Sequence, residues 1–326
     1  MVKGIIEVEH LSKTFKKGNV QAVKDVSFSV KEGEFFAFLG PNGAGKSTTV
    51  QILTTLINAS SGKALVAEND VIKNPKEVRK HIGVALQETG IDPGLTGREM
   101  VHLQCRIFGY KPKEAIERTN ELLEVVQLTE AADRICGNYS GGMRRRLDLA
   151  LTLVNKPKVL FLDEPTTGLD PSNRKSIWEY LERLNKEEGT TIFLTTQYLE
   201  EADFLADRIS IIDGGEIVAT GTPEELKVQI GNDLITLSFT TQEEAKQAKE
   251  KLHDHLGKME IVERGSDLIL YVQNGTKRLM ELVRVLDQEQ VEVQSVNVDS
   301  PTLDDIFLKI TGVGTKEEEK EGIQHG

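Results

Sequence analysis

Apolar and polar positions alternate at the start of the chain. Ile6 and Val8 are separated by Glu7, and Val26, Phe28 and Val30 by two serines. A period of two marks strands with one buried face, and two such runs predict an antiparallel pair. Phe35-Phe36-Ala37-Phe38-Leu39 breaks the alternation and ends at Gly40. An unbroken apolar run of this length predicts a strand buried on both faces, as in a parallel sheet. The same reading applies to residues 82–86, 159–162 and 191–194. Helical periodicities lie between these runs, so strands and crossover helices alternate as in an α/β fold. From Thr96 to Gly137 the pattern is helical throughout, broken at Pro112. It predicts a helical subdomain, about residues 90–155, inserted between two strands of the sheet.

Residues 209–219 read as two strands around the turn Asp213-Gly214-Gly215. A helix follows, with Thr222 as N-cap, Pro223 at its first position and Glu225 at its third. Gly231-Asn232-Asp233 breaks the pattern, and the boundary is placed there: a first domain over 1–230 and a second over 231–312. The second domain reads as strand (234–239), helix (242–256), strands (260–264 and 268–272), helix (276–288), strand (291–298) and a short helix (303–310). That β-α-β-β-α-β order predicts a small α+β domain of ferredoxin-like topology. Residues 313–326 carry the run Lys316-Glu317-Glu318-Glu319-Lys320-Glu321 and are expected to be a disordered charged tail. There is no internal repeat and no long heptad run.

Charge narrows the functional classes. Forty basic against fifty-two acidic side chains leave the 326 residues at −12, which disfavours nonspecific binding to nucleic acid or anionic lipid. No apolar stretch approaches the ~18 residues of a membrane-spanning helix, and the first residues show no apolar core of a secretory signal. Cys105 and Cys136 lie in unrelated contexts without metal-ligand spacing and are expected to be free thiols in a reducing compartment.

Three segments carry chemistry. Gly40-Pro41-Asn42-Gly43-Ala44-Gly45-Lys46-Ser47 follows a buried strand and leads into the helical run that begins at Thr48. Its glycines let the backbone wrap so that successive N–H groups face phosphate oxygens, and the helix N-terminus adds partial positive charge. Lys46 brings a full charge for the β- and γ-phosphates, and Ser47 a hydroxyl for Mg2+. Asp163 and Glu164 end the buried run 159–162. Carboxylates at the C-terminal end of a central strand face the crevice where α/β sheets bind ligands. Asp163 can hold Mg2+ there, and Glu164 can orient and deprotonate a water. Ser140-Gly141-Gly142 opens an amphipathic helix with a hydroxyl, free N–H groups and a helix dipole available to an anion.

Taken together, these segments resemble the ATP-binding-cassette (ABC) ATPases over about residues 5–228. Ser140, Gly141 and Gly142 look like the family's signature motif, Gln87 like its Q-loop glutamine and a further Mg2+ contact, and Thr167-Gly168-Leu169-Asp170 like its D-loop. Phe15 falls where the family stacks an aromatic on adenine. The resemblance implies a P-loop cassette with a mixed sheet, an antiparallel β subdomain and a helical insert. It also implies ATP and Mg2+ as ligands with no other metal, and a head-to-tail homodimer in which Ser140 and Gly142 of one copy cover ATP on residues 40–48 of the other. A separate integral membrane permease would be the second partner, received on residues 91–110, so the protein would be cytoplasmic and peripheral on the membrane.

Gln197 stands where the family usually has a histidine that contacts the γ-phosphate. An amide can hydrogen-bond but cannot become cationic. With the distal segment 300–312 it resembles the daunorubicin/drug-resistance branch of exporters. The expected function is the ATP-hydrolysing subunit of a multi-component ABC transporter, an exporter, with Glu164, Lys46 and Gln197 as catalytic groups. The alternatives are a non-transport ABC ATPase acting on DNA or ribosomes, which the acidic charge and the absence of a long coiled coil disfavour, and a regulatory module that hardly hydrolyses ATP, which the presence of Glu164 disfavours.

Overall fold

The computed structural model describes residues 4–87, 90–228, 233–256, 261–272, 275–299 and 303. The chain divides into two compact units between Thr222 and Pro223, before the break at 231 that the sequence suggests.

The first unit holds two sheets. β1 (Ile6–Phe15) pairs with β2 (Val20–Val30) in the antiparallel register that the alternation predicts, Ile6 opposite Val30 and Val8 opposite Phe28. β3 (Phe35–Leu39) is buried at all five positions and leads through a loop into α1 (Lys46–Leu53). β4 (Ser61–Val66) and β5 (Asn69–Asp70) extend the first sheet to the order β2-β1-β4-β5. The remaining elements are α2 (Pro75–His81), β6 (Ile82–Ala85), α3 (Gly97–Ile107), α4 (Pro112–Val125), α5 (Gly141–Thr152), β7 (Val159–Asp163), α6 (Pro171–Glu188), β8 (Thr191–Thr196), α7 (Leu199–Leu205), β9 (Arg208–Asp213) and β10 (Glu216–Gly221). The second sheet runs β10-β9-β3-β8-β7-β6. Its strands are parallel except for β10, the hairpin partner of β9.

The apolar runs make this sheet the centre of the unit. Phe36 and Phe38 of β3 face one layer with Phe28 and Phe193, ring centroids 5.5–5.8 Å apart, and α1 packs in the same cluster. Phe35 points into the opposite cluster, with α3, α4, α5 and α6. At about 1.5–3 kcal/mol for each large apolar side chain withdrawn from water, these layers fix β3 rigidly, and with it the loop that follows.

Within the insert the structure corrects the reading of continuous helix. Pro112 begins α4 as its first residue rather than only interrupting a run, which suits a residue with no N–H to donate. Gln127 takes a positive φ of 55° just after α4. Between it and α5 only short 3-10 turns occur, at Thr129–Ala131 and Cys136–Asn138.

The second unit contains α8 (Pro223–Val228), β11 (Asp233–Ser238), α9 (Gln242–Leu256), β12 (Ile261–Arg264), β13 (Asp267–Val272), α10 (Gly275–Gln288) and β14 (Ser295–Asp299). All neighbouring strands in the order β12-β13-β11-β14 are antiparallel. That is the split βαβ arrangement of the ferredoxin-like topology. The last strand begins later than the pattern suggests. Gln290 takes a left-handed φ of 51°, and the Val291 N–H donates to Leu286 O at 2.9 Å. Residues 290–291 therefore close α10 in a Schellman-type turn instead of opening a strand. Apart from Leu303, the expected helix over 303–310 and the tail over 313–326 lie outside the described residues.

The two apolar clusters of the first unit are built from residues up to Ile217, and that of the second from Ile235 onward. A chain ending at Thr222 should therefore fold by itself, with a sharp thermal transition in circular dichroism. A broad, non-cooperative melt would show that the first unit needs the second.

Candidate active site

The loop from β3 to α1 is shaped by Gly45. Its φ is +105°, and a Cβ there would lie 2.3 Å from the Ala22 carbonyl oxygen, so a side chain is excluded by both strain and space. Gly45 is also the N-cap of α1 and offers no side-chain cap. The first N–H groups of the helix thus point toward the loop, an anion-binding arrangement.

Lys46 is 4% exposed. Its Nζ donates to Gly40 O at 2.8 Å and Pro41 O at 3.1 Å, and lies 3.2 Å from Glu164 Oε1. Ser47 Oγ donates to Asp163 Oδ1 at 3.0 Å, and Thr195 Oγ1 donates to the same oxygen at 2.5 Å. The sheet brings them together: Asp163 is opposite Thr195, and Leu39 opposite Thr196, so β3, β8 and β7 end side by side at the crevice expected for an α/β ligand site. Glu164 N–H donates to Thr195 O at 3.0 Å, and Glu164 itself takes a positive φ of 49°. The arrangement is a buried cation, two carboxylates and two hydroxyls around a helix N-terminus.

A second cluster forms at α5. Ser140 is exposed and caps that helix, accepting from Met143 N–H at 3.2 Å. A Cβ on Gly142 would lie 2.4 Å from Asn173 Oδ1, so this turn sits against the start of α6. Asp170 caps α6, accepting from Asn173 N–H at 3.1 Å and from its Nδ2 at 2.5 Å. These bonds hold the Asp170 carboxyl below the usual carboxylate range. Ser140–Gly142 and residues 168–170 therefore form one surface, and Thr167 links it to the group around Lys46 by donating from Oγ1 to Glu164 Oε2 at 3.4 Å.

The comparisons with known proteins fit this geometry. A model described as ABC transporter matches residues 23–167, and one described as ATP-binding protein DrrA1-3-like, C-terminal domain, matches residues 221–311. The daunorubicin resistance ATP-binding protein DrrA2 of Streptomyces coeruleorubidus is 43% identical over 317 residues, 96% of this chain and 97% of that one. The chain belongs to the ATP-binding proteins of ABC transporters. The linearmycin resistance ATP-binding protein LnrL of Bacillus subtilis is 35% identical, covering 94% of this chain and 98% of its own. Among solved structures, cbiO1 of Clostridium perfringens, described as part of the ABC transporter complex cbiONQ, superposes with a TM-score of 0.64 at 29% identity over 68% of this chain and 90% of its own. A dimeric ATP-binding cassette in a post-hydrolysis state bound to ADP and Pi gives 0.61 at 30% identity, covering 67% and 98%. As a member of this family the protein binds ATP and is the ATPase subunit of a transporter.

The other residues of the cassette singled out from sequence fall at its rims. Phe15 ends β1, 37% exposed, with Lys13 Nζ 5.2 Å from its ring centroid; it is not a core residue. Gln87 is exposed just beyond β6. Gln197 follows β8 directly and is half-buried beside the start of the Gly40 loop, where Gly40 N–H donates to Thr196 O at 3.3 Å.

Sequence reasoning missed Thr195, Glu201 and Arg145. Glu201 is fully buried and accepts from Thr166 Oγ1 at 2.8 Å and Trp178 Nε1 at 2.9 Å; burial pushes its carboxyl up. The available signal for Thr195 was a pair of hydroxyl side chains, Thr195-Thr196, ending an apolar strand. Thr195→Val deletes a buried donor to Asp163 while keeping the shape. It should cost about 1–3 kcal/mol in unfolding free energy, measured by urea titration. An unchanged midpoint and slope would remove Thr195 from the group that holds Asp163.

Proposed function

We propose that the nucleotide is held between two copies of this chain arranged head to tail. Lys46 and the N–H groups of residues 43–48 cradle the phosphates of ATP in one copy, and Ser140 and Gly142 of the other cover them. The observation that carries this reading is that Ser140 lies exposed at the opening of α5 while Lys46 is buried among its own partners. A triphosphate on the Lys46 side meets one helix N-terminus and one lysine, which leaves much of its charge unscreened. A second helix N-terminus from another copy completes the screening.

The Ser47 hydroxyl and the Asp163 carboxylate, hydrogen-bonded at 3.0 Å, are hard oxygen donors of the kind Mg2+ takes when phosphate and water complete its shell. They would hold it, with Gln87 contributing from the end of β6. The ion, when bound, would neutralise charge on the β- and γ-phosphates. Glu164 is the general base. Its carboxylate is paired with Lys46, so a phosphate that engages Lys46 releases Glu164 to accept a proton from an attacking water. Gln197 can donate to the γ-phosphate from its amide and adds no charge of its own, so hydrolysis rests on Glu164 and Lys46. Asp170 fixes the loop that meets the second copy, and Phe15 offers its exposed ring to adenine.

Transport requires a membrane partner, because among the described residues no helix is long and apolar enough to cross a membrane. A cavity of about 610 Å³ between the end of β6 and α3 is lined by Leu56, Leu86, Met100, Gln104 and Phe108, and Leu103 and Ile107 lie exposed on α3. This half-apolar face is proposed to receive the cytoplasmic end of the permease and to hold the protein at the membrane. The drug-resistance names of the relatives support an outward direction of transport.

Glu164→Gln should retain ATP binding, hydrolyse about 10²–10⁴-fold more slowly and accumulate as an ATP-dependent dimer in light scattering. Lys46→Ala should lose ATP binding in calorimetry. Normal turnover by Glu164→Gln, or wild-type affinity in Lys46→Ala, would contradict the assigned roles.

A further inference from the structure

The guanidinium of Arg145 is almost fully buried although it lies on α5, the helix that Ser140 opens. Its hydrogen bonds reach into two other elements. Nε donates to Pro165 O at 2.7 Å, Nη1 to Leu86 O at 2.8 Å and to Asp148 Oδ2 at 3.0 Å, and Nη2 to Asp163 O at 3.4 Å. The carbonyls of Asp163 and Pro165 flank Glu164. Between them Glu164 has φ +49°, a left-handed conformation that costs a non-glycine residue of order 1 kcal/mol and persists only where its surroundings enforce it.

The conformation has a use. It turns the Glu164 carboxylate to within 3.2 Å of Lys46, while the N–H donates to Thr195 O. One side of the turn is thus fixed by β8 and the other by Arg145. Only arginine offers enough donors in one plane to hold three carbonyls and a carboxylate together; a lysine ammonium in the same space lacks the fork. Asp148 supplies the counter-charge one turn along α5, and both side chains of the pair are largely buried. Burial pushes the Asp148 carboxyl up to about 6 against the pull of Arg145, so the site bears a desolvation cost that a purely stabilising contact between apolar residues would avoid.

We propose that Arg145 is a positioning residue for hydrolysis: by gripping the carbonyls on both sides of Glu164 and that of Leu86, it holds the general base in its left-handed turn and couples that turn to the helix opened by Ser140. This rests on the reading of Glu164 as the base. The role differs from that of Lys46 or Ser47, since Arg145 acts on the backbone of the catalytic turn and has no contact with ATP to make.

The test compares the full-length wild-type chain with Arg145→Lys, Glu164→Gln and the double variant, measuring MgATP turnover and, by calorimetry, ATP affinity. A misplaced catalytic group costs up to about 10²-fold. Arg145→Lys should therefore lower kcat by about tenfold to a hundredfold, with ATP affinity within about twofold of wild type. The double variant should turn over no more slowly than Glu164→Gln alone, because Arg145 has nothing left to position. Wild-type kcat in Arg145→Lys, or a double variant slower by the product of the two single effects, overturns the proposal while leaving Glu164 as base. Normal turnover by Glu164→Gln alone overturns the base assignment and the proposal with it. Should Arg145→Lys fail to fold, Arg145→Met combined with Asp148→Leu removes both buried charges and takes its place. The proposal again requires a lowered kcat at retained affinity, and a wild-type kcat refutes it.

Discussion

Burying an ammonium group costs several kcal/mol unless it is paired and hydrogen-bonded, and Lys46 is buried to 4% exposure. Its position is tolerated because two loop carbonyls and Glu164 surround it. Each of those partners depends on structure elsewhere. The carbonyls of Gly40 and Pro41 face inward because the loop wraps around Gly45, where only glycine fits against Ala22. Glu164 reaches Lys46 because its turn is left-handed and its neighbours are held. The sheet beneath is apolar on both faces, so the ends of β3, β7 and β8 cannot shift independently to relieve the charge.

The same constraint bears on the two groups of motif residues that one chain carries. The Lys46 group satisfies its charges internally, with Asp163 taken by Ser47 and Thr195. The Ser140 group satisfies its own, with Ser140 capping α5 and Asp170 capping α6. ATP adds more negative charge than the first group can screen, and the second group presents an exposed helix N-terminus suited to screening it. In the proposed arrangement, association of two copies follows from charge, and release from hydrolysis and loss of phosphate.

Much of this was legible in the sequence. The unbroken apolar runs located β3, β6, β7 and β8, and the glycine-rich loop with Lys46 and Ser47 could be read by spacing alone. The alternation at residues 5–9 and 26–30 found β1 and β2. β4 escaped because its first half, Ser61-Gly62-Lys63, has no alternation; it is held by pairing with β1 rather than by its own pattern. The first residues of the expected strand 291–298 misled because Val291 and Val293 are apolar, yet the chain there is closing α10. Arg145 was invisible for another reason. In a run of three arginines opening an amphipathic helix, nothing local says which one turns inward. That choice is made by carbonyls of Leu86, Asp163 and Pro165, remote in sequence and brought together only by the sheet.

The central claim is that the Lys46 loop of one copy meets the Ser140 turn of another when ATP is bound. Disulfide trapping between two differently tagged chains, Asn42→Cys in one and Ser140→Cys in the other, tests it directly under mild oxidation, with Cys105 and Cys136 replaced by serine in both. Glu164→Gln in both chains would keep the closed state populated. The account predicts a mixed disulfide that forms with MgATP and not with MgADP or without nucleotide. A crosslink yield that does not respond to ATP, or ATP-dependent dimers in which these two positions never crosslink, would contradict it.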